Sequence, residues 1–338
     1  MSKSIGTHDG TFHVDEALAC FMLKRLPRFR DAAVVRTRDA ATLEKCDVVV
    51  DVGGVFDPAK NRFDHHQRDF SHTMKSLNIL PEYVTKLSSA GLVYAHFGKE
   101  MIAEMLGIDI GGEDLELLFD KVYRQFVEEI DAVDNGIAQC DSPAKYAVSS
   151  TISSRVGRLN PPWNDDQNLD PNQQFEKAMR LVGDELVDCV EYLHKSWLAA
   201  RQLVKEAVDK RRQVDETGLI VELPAGGLPW KEHLAAIEEQ WKLQGAAEAS
   251  PLYVVFSADP AGNSWRVQCV PVGPEEPFKN RLSLPESWRG LRDQQLDAVA
   301  NIDACIFVHA SGFIGGNRTR EGALAMARKA LELGAAIG

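Results

Sequence analysis

The chain has 338 residues, of which 44% are hydrophobic and 26% are charged, and its net charge is −12. This length and composition exclude a disordered or fibrous protein and predict a globular chain with two domains. The acidic balance excludes a protein that coats nucleic acid through bulk charge, although it permits a local basic groove. No apolar run approaches the roughly 20 residues that span a bilayer and no targeting segment is legible, so we expect a soluble intracellular protein without a membrane partner.

The first 52 residues alternate between strand-like and helix-like segments. Strands are predicted over residues 5–7, 32–38 and 48–52, and helices over residues 12–26 and 40–45. Pro27 ends the first helix, Asp39 caps the second, and the apolar run 48–52 is typical of a buried parallel strand. This β-α-β-α-β order predicts a doubly wound α/β sheet.

Helices dominate the middle of the chain, and short strands dominate its C-terminal part. Residues 55–76 are loop-like, helices are predicted over 88–105, 113–133 and 172–214, and strands over 219–223, 252–258, 265–272 and 304–309 before a last helix over 320–333. The change in pattern predicts a first domain over residues 1–170, a helical connector over 171–217 and a smaller C-terminal α/β domain over 218–338.

Histidine and aspartate residues form clusters after the predicted strands. The clusters are His8, His13 and Asp15 after the first strand, Asp51 at the end of the third, and Asp64-His65-His66 in the loop beyond. Because ligands of an open α/β sheet bind beyond the carboxyl ends of its strands, we expect these clusters to converge. Carboxylates and imidazoles without thiolates favour two divalent cations, Mn²⁺ or Mg²⁺.

Two cations held close together need a shared carboxylate to offset their mutual repulsion. Asp51, at the end of a central strand, is predicted to bridge them. The first-loop residues are expected to bind one or both cations, and His65 is expected to complete the second site. A water molecule between the cations would lose a proton and attack phosphorus.

A further carboxylate is expected at the end of a helix near residue 134. Asp131 and Asp134 are three residues apart, so both can lie on one helix face. We favour Asp134 as the ligand and keep Asp131 as the alternative, or as a residue that supports the ligands. Glu16, taken alone, is expected to cap the first helix.

The motif Asp64-His65-His66 after a strand that ends in Asp51 resembles the signature of the DHH phosphoesterase superfamily. The opening motif departs from the superfamily's common form, because His13 replaces an aspartate and the spacing is one residue longer. With this departure, the chain resembles the melanocyte proliferating gene (MYG) family. The resemblance is carried by segments 6–16, 51–54, 64–67, 281–292 and 309–320.

This resemblance implies a DHH-like catalytic domain with 3′–5′ exonuclease activity on single-stranded RNA, in the nucleus or the mitochondrion. It implies that the cations are held by His8, His13, Asp15, Asp51, His65 and one of Asp131 and Asp134. It also implies that His66 contacts the scissile phosphate and that Asp64 orients a histidine.

The C-terminal domain carries a predicted substrate-binding surface. Gly315 and Gly316, before the last helix, would expose backbone N–H groups to an anion. The residues expected to join them in a basic wall that faces the metals across a cleft are His309, Arg318, Arg320, Arg281 and Arg289. The competing interpretation is a plain glycine turn with solvated arginines.

Two other functions stay open at the level of sequence. A small-molecule phosphoesterase, acting on pyrophosphate or short oligonucleotides, would use the same cations in a closed pocket with two lysines. A catalytically silent metal-binding regulator would lack one of the expected ligands. The sequence specifies neither an oligomeric state nor a preference between RNA and DNA.

Overall fold

The computed structural model describes residues 3–165, 168–246, 248–273 and 275–335. The chain forms two compact units, Met1–His194 and Lys195–Gly338, and the boundary falls within the segment in which a helical connector is predicted. Each unit contains a five-stranded sheet. Among the helices in the described ranges, none is long and apolar enough to cross a membrane.

The sheet of the first unit is parallel except at one edge. Its strands are β1 (Ser4–Thr7), β2 (Ala33–Arg36), β3 (Val48–Val50), β4 (Phe56–Asp57) and β5 (Arg62–Phe63). Their order is β2-β1-β3-β5-β4, and of these five only β4 is antiparallel to its neighbour. The sequence predicts β1 to β3 but treats β4 and β5 as loop, because two-residue strands are too short to show an alternating pattern.

The helices of the first unit are α1 (Val14–Arg25), α2 (Ala40–Glu44), α3 (Ser89–Leu106), α4 (Glu113–Val122), α5 (Glu128–Asp134), α6 (Ile152–Gly157) and α7 (Pro171–Tyr192). A π-helical turn, Tyr123–Val127, joins α4 to α5. Helix α1 is apolar on most sides because it packs against α3 and α7 as well as against the sheet. Ala17, Leu18 and Leu23 are fully buried there. Helix α1 therefore anchors the loop that precedes it.

The second unit has a mixed sheet with helices on both faces. Its strands are β6 (Ile220–Glu222), β7 (Tyr253–Ser257), β8 (Trp265–Cys269), β9 (Cys305–Val308) and β10 (Ile314–Asn317), in the order β6-β7-β8-β10-β9. Strands β6 and β7 are parallel, and the other pairs are antiparallel. The helices are α8 (Ala199–Asp209), α9 (Arg211–Val214), α10 (Trp230–Leu243), α11 (Asp293–Ala300) and α12 (Arg320–Ala335).

Strand β7 is apolar throughout because both of its faces are buried. Tyr253 and Val255 join one core cluster, to which α12 contributes Ala327. Val254 points to the other face and joins the cluster that contains Trp230 of α10. Both units thus combine a sheet with packed helices, and the predicted α/β class is confirmed.

Candidate metal centre

Three neighbouring strands end at the same edge of the first sheet. Strand β1 is followed by His8, β3 by Asp51 and β5 by Asp64. Because these strands are adjacent and parallel, their carboxyl ends lie side by side. Asp51 has a φ of 57°, a left-handed conformation that aspartate adopts more readily than most residues. The sheet therefore brings three of the predicted site residues to one place.

Asp51 lies between two groups of histidines. Its Oδ2 is 3.3 Å from Nε2 of His8. Its Oδ1 is 3.6 Å from Nδ1 of His65 and 3.5 Å from Nδ1 of His66. The residue is buried, with 4% of its surface exposed. One carboxylate oxygen thus faces each group, as a carboxylate shared by two cations requires.

Candidate ligand atoms gather in three overlapping clusters within the residues that the structure describes. In each cluster the atoms lie within 4.8 Å of one another. The first cluster contains His8, His13, Glu16 and Asp51, the second Asp51, Asp64, His65 and His66, and the third His13, Asp15 and Asp134. Asp51 and His13 each belong to two clusters, so the three form one continuous centre. Every predicted metal ligand except Asp131 takes part.

The two candidate carboxylates of α5 have different surroundings. Asp134 Oδ2 lies 2.8 Å from Nε2 of His65. Asp131 is fully buried, and it accepts hydrogen bonds of 2.8–2.9 Å from the backbone N–H and hydroxyl of Ser88 and from the hydroxyl of Tyr123. Burial raises the pKa of Asp131 to about 7, although these hydrogen bonds act in the opposite direction. The geometry favours Asp134 as the ligand, whereas Asp131 fixes the start of α3.

Asp15 has an environment that a cation would complete. Its side chain is fully buried, and in the described part of the chain its oxygens meet the carboxyl groups of Glu16 and Asp134 rather than an N–H donor. Burial and the neighbouring carboxylates of Asp51, Glu16 and Asp134 raise its pKa well above the usual range. Burying a carboxylate without a partner is costly, and a divalent cation would remove that cost. The mixture of carboxylates and imidazoles therefore fits Mn²⁺ or Mg²⁺.

Glu16 joins the centre, although its position in the sequence predicts only a capping role. It is fully buried, and its Oε1 lies 3.0 Å from Nε2 of His8. The same carboxylate accepts the backbone N–H of His13 at 2.8 Å, as in a capping box. Burial lowers the pKa of His8, but hydrogen bonds with Asp51 and Glu16 raise it overall to about 10. The capping spacing is visible in the sequence, whereas the contact with His8 is not.

Asp64 and His66 form a hydrogen-bonded pair beside these ligands. Asp64 Oδ1 lies 2.7 Å from Nδ1 of His66, and Oδ2 accepts the backbone N–H of Gly54 at 2.6 Å. Burial opposes ionisation of Asp64, yet these hydrogen bonds lower its pKa overall, and the bond to Asp64 raises the pKa of His66. The side chain of Asp64 is 2% exposed and that of His66 is 62% exposed. Asp64 therefore holds an imidazole whose outer edge is open to solvent.

Ser89, which lies outside the predicted site residues, connects two ligand candidates. Its hydroxyl donates to Oδ1 of Asp51 at 3.2 Å and lies 3.2 Å from Nδ1 of His65. Ser89 is the fully buried first residue of α3. No local motif marks this role, because the contact depends on how α3 packs against the sheet.

The two glycines predicted to bind an anion lie in a strand. Gly315 and Gly316 belong to β10, which pairs with β8 on one side and β9 on the other. This pairing contradicts the expectation that their N–H groups are exposed to an anion before the last helix, and it contradicts the competing glycine turn as well. A Cβ on Gly315 would approach Leu284 to 3.0 Å, and a Cβ on Gly316 would approach Arg266 to 3.0 Å. Close packing accounts for both glycines.

Two of the predicted substrate-binding arginines are paired with carboxylates. Arg281 donates to both oxygens of Glu238, at 2.6 and 2.7 Å. Arg320 makes a similar bidentate pair with Glu222, at 2.7 and 2.5 Å. These pairs satisfy the guanidinium groups within the second unit, so neither arginine offers free charge to a substrate.

The other three predicted substrate-binding residues have weaker partners. His309 is exposed, and its Nδ1 lies 2.9 Å from the hydroxyl of Ser311. Arg289 donates from Nε to the carbonyl oxygen of Leu284 at 3.0 Å. The side chain of Arg318 is 63% exposed and lies 3.6 Å from Asp293. These three side chains remain candidates for contact with an anionic ligand.

Comparison with known proteins gives similarity along almost the whole chain. The family model MYG1_exonuc, described as an uncharacterised protein family (UPF0160), matches residues 4–331. A MYG1 exonuclease from Homo sapiens is 53% identical over 328 residues, which cover 97% of this chain and 85% of the relative. MYG1 protein C27H6.8 from Caenorhabditis elegans is 51% identical over 334 residues, which cover 99% of this chain and 96% of the relative. These matches confirm the resemblance carried by the sequence motifs, and the chain belongs to the MYG1 exonuclease family.

Proposed function

We propose that this chain is a metal-dependent 3′–5′ exoribonuclease that hydrolyses phosphodiester bonds in single-stranded RNA. The central observation is that Asp51 presents one oxygen to each of two groups of candidate ligands. Relatives from Homo sapiens and Bos taurus are named exonucleases, which supports a nuclease. The RNA substrate, the direction and a location in the nucleus or mitochondrion rest on resemblance to the MYG family.

We assign two divalent cations, Mn²⁺ or Mg²⁺, to the centre on the first sheet. The residues that would hold them are His8, His13, Asp15, Asp51, His65 and Asp134, and the position of Glu16 adds it to this set. When bound, such cations lower the pKa of a water molecule and offset negative charge that develops at phosphorus. The protein holds the ligands in advance, because strand ends and the buried starts of α1 and α3 fix their positions.

His66 has the properties of a residue that contacts the scissile phosphate. Asp64 fixes the imidazole through Nδ1, so Nε2 is free to meet a substrate. The raised pKa of His66 favours the charged imidazolium. In this role, His66 donates a hydrogen bond to a phosphate oxygen as negative charge grows there. In the second unit we assign substrate contact to His309, Arg289 and Arg318.

The proposal is tested by digestion of single-stranded RNA labelled at its 5′ end, with Mn²⁺ and with EDTA. Wild-type protein should produce a ladder that shortens from the 3′ end only when Mn²⁺ is present. Asp51→Asn should abolish the ladder, because it removes charge from the shared carboxylate. Asp184→Asn, the same change at an exposed position of α7, is the matched control and should leave activity unchanged.

Pyrophosphate hydrolysis is measured in parallel. Release of phosphate from pyrophosphate without RNA cleavage would replace the exonuclease proposal with a small-molecule phosphoesterase. Stoichiometric Mn²⁺ binding without activity on either substrate would instead favour a silent metal-binding regulator. A labelled single-stranded DNA of the same sequence tests the preference for RNA.

A further inference from the structure

A basic cavity of about 760 Å³ lies in the first unit between α1, β2 and α7. Its cationic lining side chains are Lys24, Arg25, Arg30, Arg36 and Arg180. None of the candidate metal ligands lines this cavity. A volume of this size lies within the range of roughly 300–1,000 Å³ that holds small-molecule ligands.

The charge of the cavity opposes that of the whole chain. Glu176 is the one carboxylate among its described lining residues, and Arg30 is paired with Glu104 at 3.2 Å. Glu16, Asp9 and Asp170 also act on the charge of Arg36, so two of the five positive charges are in excess, in a chain whose net charge is −12. Such a local concentration of cations attracts a multiply charged anion.

The cavity also has an apolar side. Phe21, Val34 and Met179 contribute to its lining. The guanidinium of Arg25 lies 4.6 Å from the centroid of the Phe21 ring, so the exposed cation and the half-buried ring form a single surface. A ligand that fits must therefore combine anionic groups with an apolar or aromatic body, as a nucleotide does.

Strand β2 offers backbone donors to the same space because it is the outermost strand in the sheet order. The N–H groups of Ala33 and Thr37 bond to carbonyl oxygens of Lys3 and Thr7, on the side of β1. By the alternation of a strand, the N–H groups of Val34 and Arg36 point the other way. Both residues line the cavity, and outward N–H groups of this kind bind phosphate oxygens.

Arg36 connects the cavity with the loop that carries the metal ligands. Its Nη2 donates to the carbonyl oxygen of Gly10 at 2.7 Å. Gly10 lies between His8 and His13 in the chain, so Arg36 places the cavity next to the metal-binding loop.

We propose that this cavity binds a nucleotide, with its phosphates near Arg25, Arg180 and the outward N–H groups of β2 and its base on the apolar side. The site is separate from the metal centre, and the proposal does not depend on nuclease activity. The phosphates could belong to a free nucleotide or to the end of an RNA strand. The size of the cavity favours the free nucleotide, because a volume of about 760 Å³ holds one compact ligand rather than a length of polymer.

The test is equilibrium binding of N-methylanthraniloyl-ADP, followed by fluorescence anisotropy in EDTA so that no cation occupies the metal centre. The charge-reversal variant Arg25→Glu/Arg180→Glu should weaken binding by about tenfold or more. Both side chains are exposed, so the protein should stay folded. Lys177→Glu/Arg124→Glu, at exposed positions outside the cavity lining, carries the same charge change and should leave binding nearly unchanged.

Two further variants distinguish binding in the cavity from binding at the metal centre. Val34→Trp, on the same face of β2 as Arg36, would fill the cavity without a change of charge and should also abolish probe binding, whereas Asp51→Asn should leave it intact. The proposal is overturned if wild-type protein fails to bind the probe, if the control double variant loses binding to the same extent, or if Asp51→Asn removes it. If a 5′-phosphorylated RNA oligonucleotide competes with the probe and unlabelled ADP does not, the cavity binds the end of an RNA strand. That result would overturn the proposal that it binds a free nucleotide.

Discussion

Replacement of Asp15 by asparagine should change stability in opposite directions without and with metal. The ligand oxygens of Asp15 and Asp134 lie within 4.8 Å of each other. Two ionised carboxylates at that distance repel by about 3 kcal/mol at an effective dielectric constant of about 20. Asp15 escapes part of this repulsion by holding a proton, since its pKa is raised. We therefore expect metal-free Asp15→Asn to gain about 2 kcal/mol, or about 4–8 °C in Tm.

With Mn²⁺ bound, the wild type should be more stable than Asp15→Asn. A cation present at about 100 times its Kd stabilises the folded protein by about 2.7 kcal/mol. The wild type receives this stabilisation, whereas the variant loses a charged ligand and most of the affinity. Calorimetric unfolding in EDTA and over a Mn²⁺ titration measures both effects, with Asp184→Asn as the control.

A metal-free Asp15→Asn protein that melts below the wild type would refute the repulsion assigned to Asp15. That result would mean that protonated Asp15 makes a stabilising contact in the absence of a cation, by a hydrogen bond to the carboxylate of Glu16 or Asp134. Equal Mn²⁺ stabilisation of variant and wild type would show instead that Asp15 is not a ligand.

Other changes give independent tests. Arg281→Met should destabilise the protein by about 3 kcal/mol because it leaves Glu238 buried and unpaired, and the added Glu238→Leu should restore most of this loss in calorimetry. Burial opposes ionisation of Asp215, yet its hydrogen bonds with Thr217 and Arg328 lower its pKa, so its stabilisation is present above the unfolded pKa and lost as pH falls. Asp215→Asn should therefore cost about 0.5–1 kcal/mol in urea unfolding at neutral pH, and this cost should shrink as the pH falls through the lowered pKa of the folded state. Ser89→Ala should weaken Mn²⁺ binding by about 10- to 100-fold in titration calorimetry, because it frees two ligands from their support.

The centre on the first sheet was largely predictable because its residues follow strongly patterned strands. The apolar run that ends at Asp51 marks a buried parallel strand, and the position of a strand end fixes where the next side chain lies. The contacts of Glu16 and Ser89 were not predictable in the same way. Both contacts depend on which face of a helix packs against the sheet, and the spacing of residues within a single segment does not predict that face.

The second unit shows the opposite situation. A run such as Ile314-Gly315-Gly316-Asn317 looks like a turn in isolation, since glycine weakens a strand. Its neighbours in space, β8 and β9, supply the pairing that makes it a strand. Arg281 looks like a free cation for a similar reason. Its partner Glu238 is 43 residues away in the chain, so local sequence cannot show that the charge is already used.

The two aspartates of α5 serve the same centre in different ways, one as a candidate ligand and the other as a residue that holds α3 in place. Residues three apart share a face, and the structure places Asp134 against His65 and Asp131 against Ser88. Ser88 precedes Ser89, whose hydroxyl contacts Asp51. One carboxylate can therefore act as a ligand, while the other holds the helix that positions the ligands, at a depth where burial raises its pKa to about 7. The sequence could place both aspartates on one face, but only the packing of α5 against α3 assigns a separate task to each.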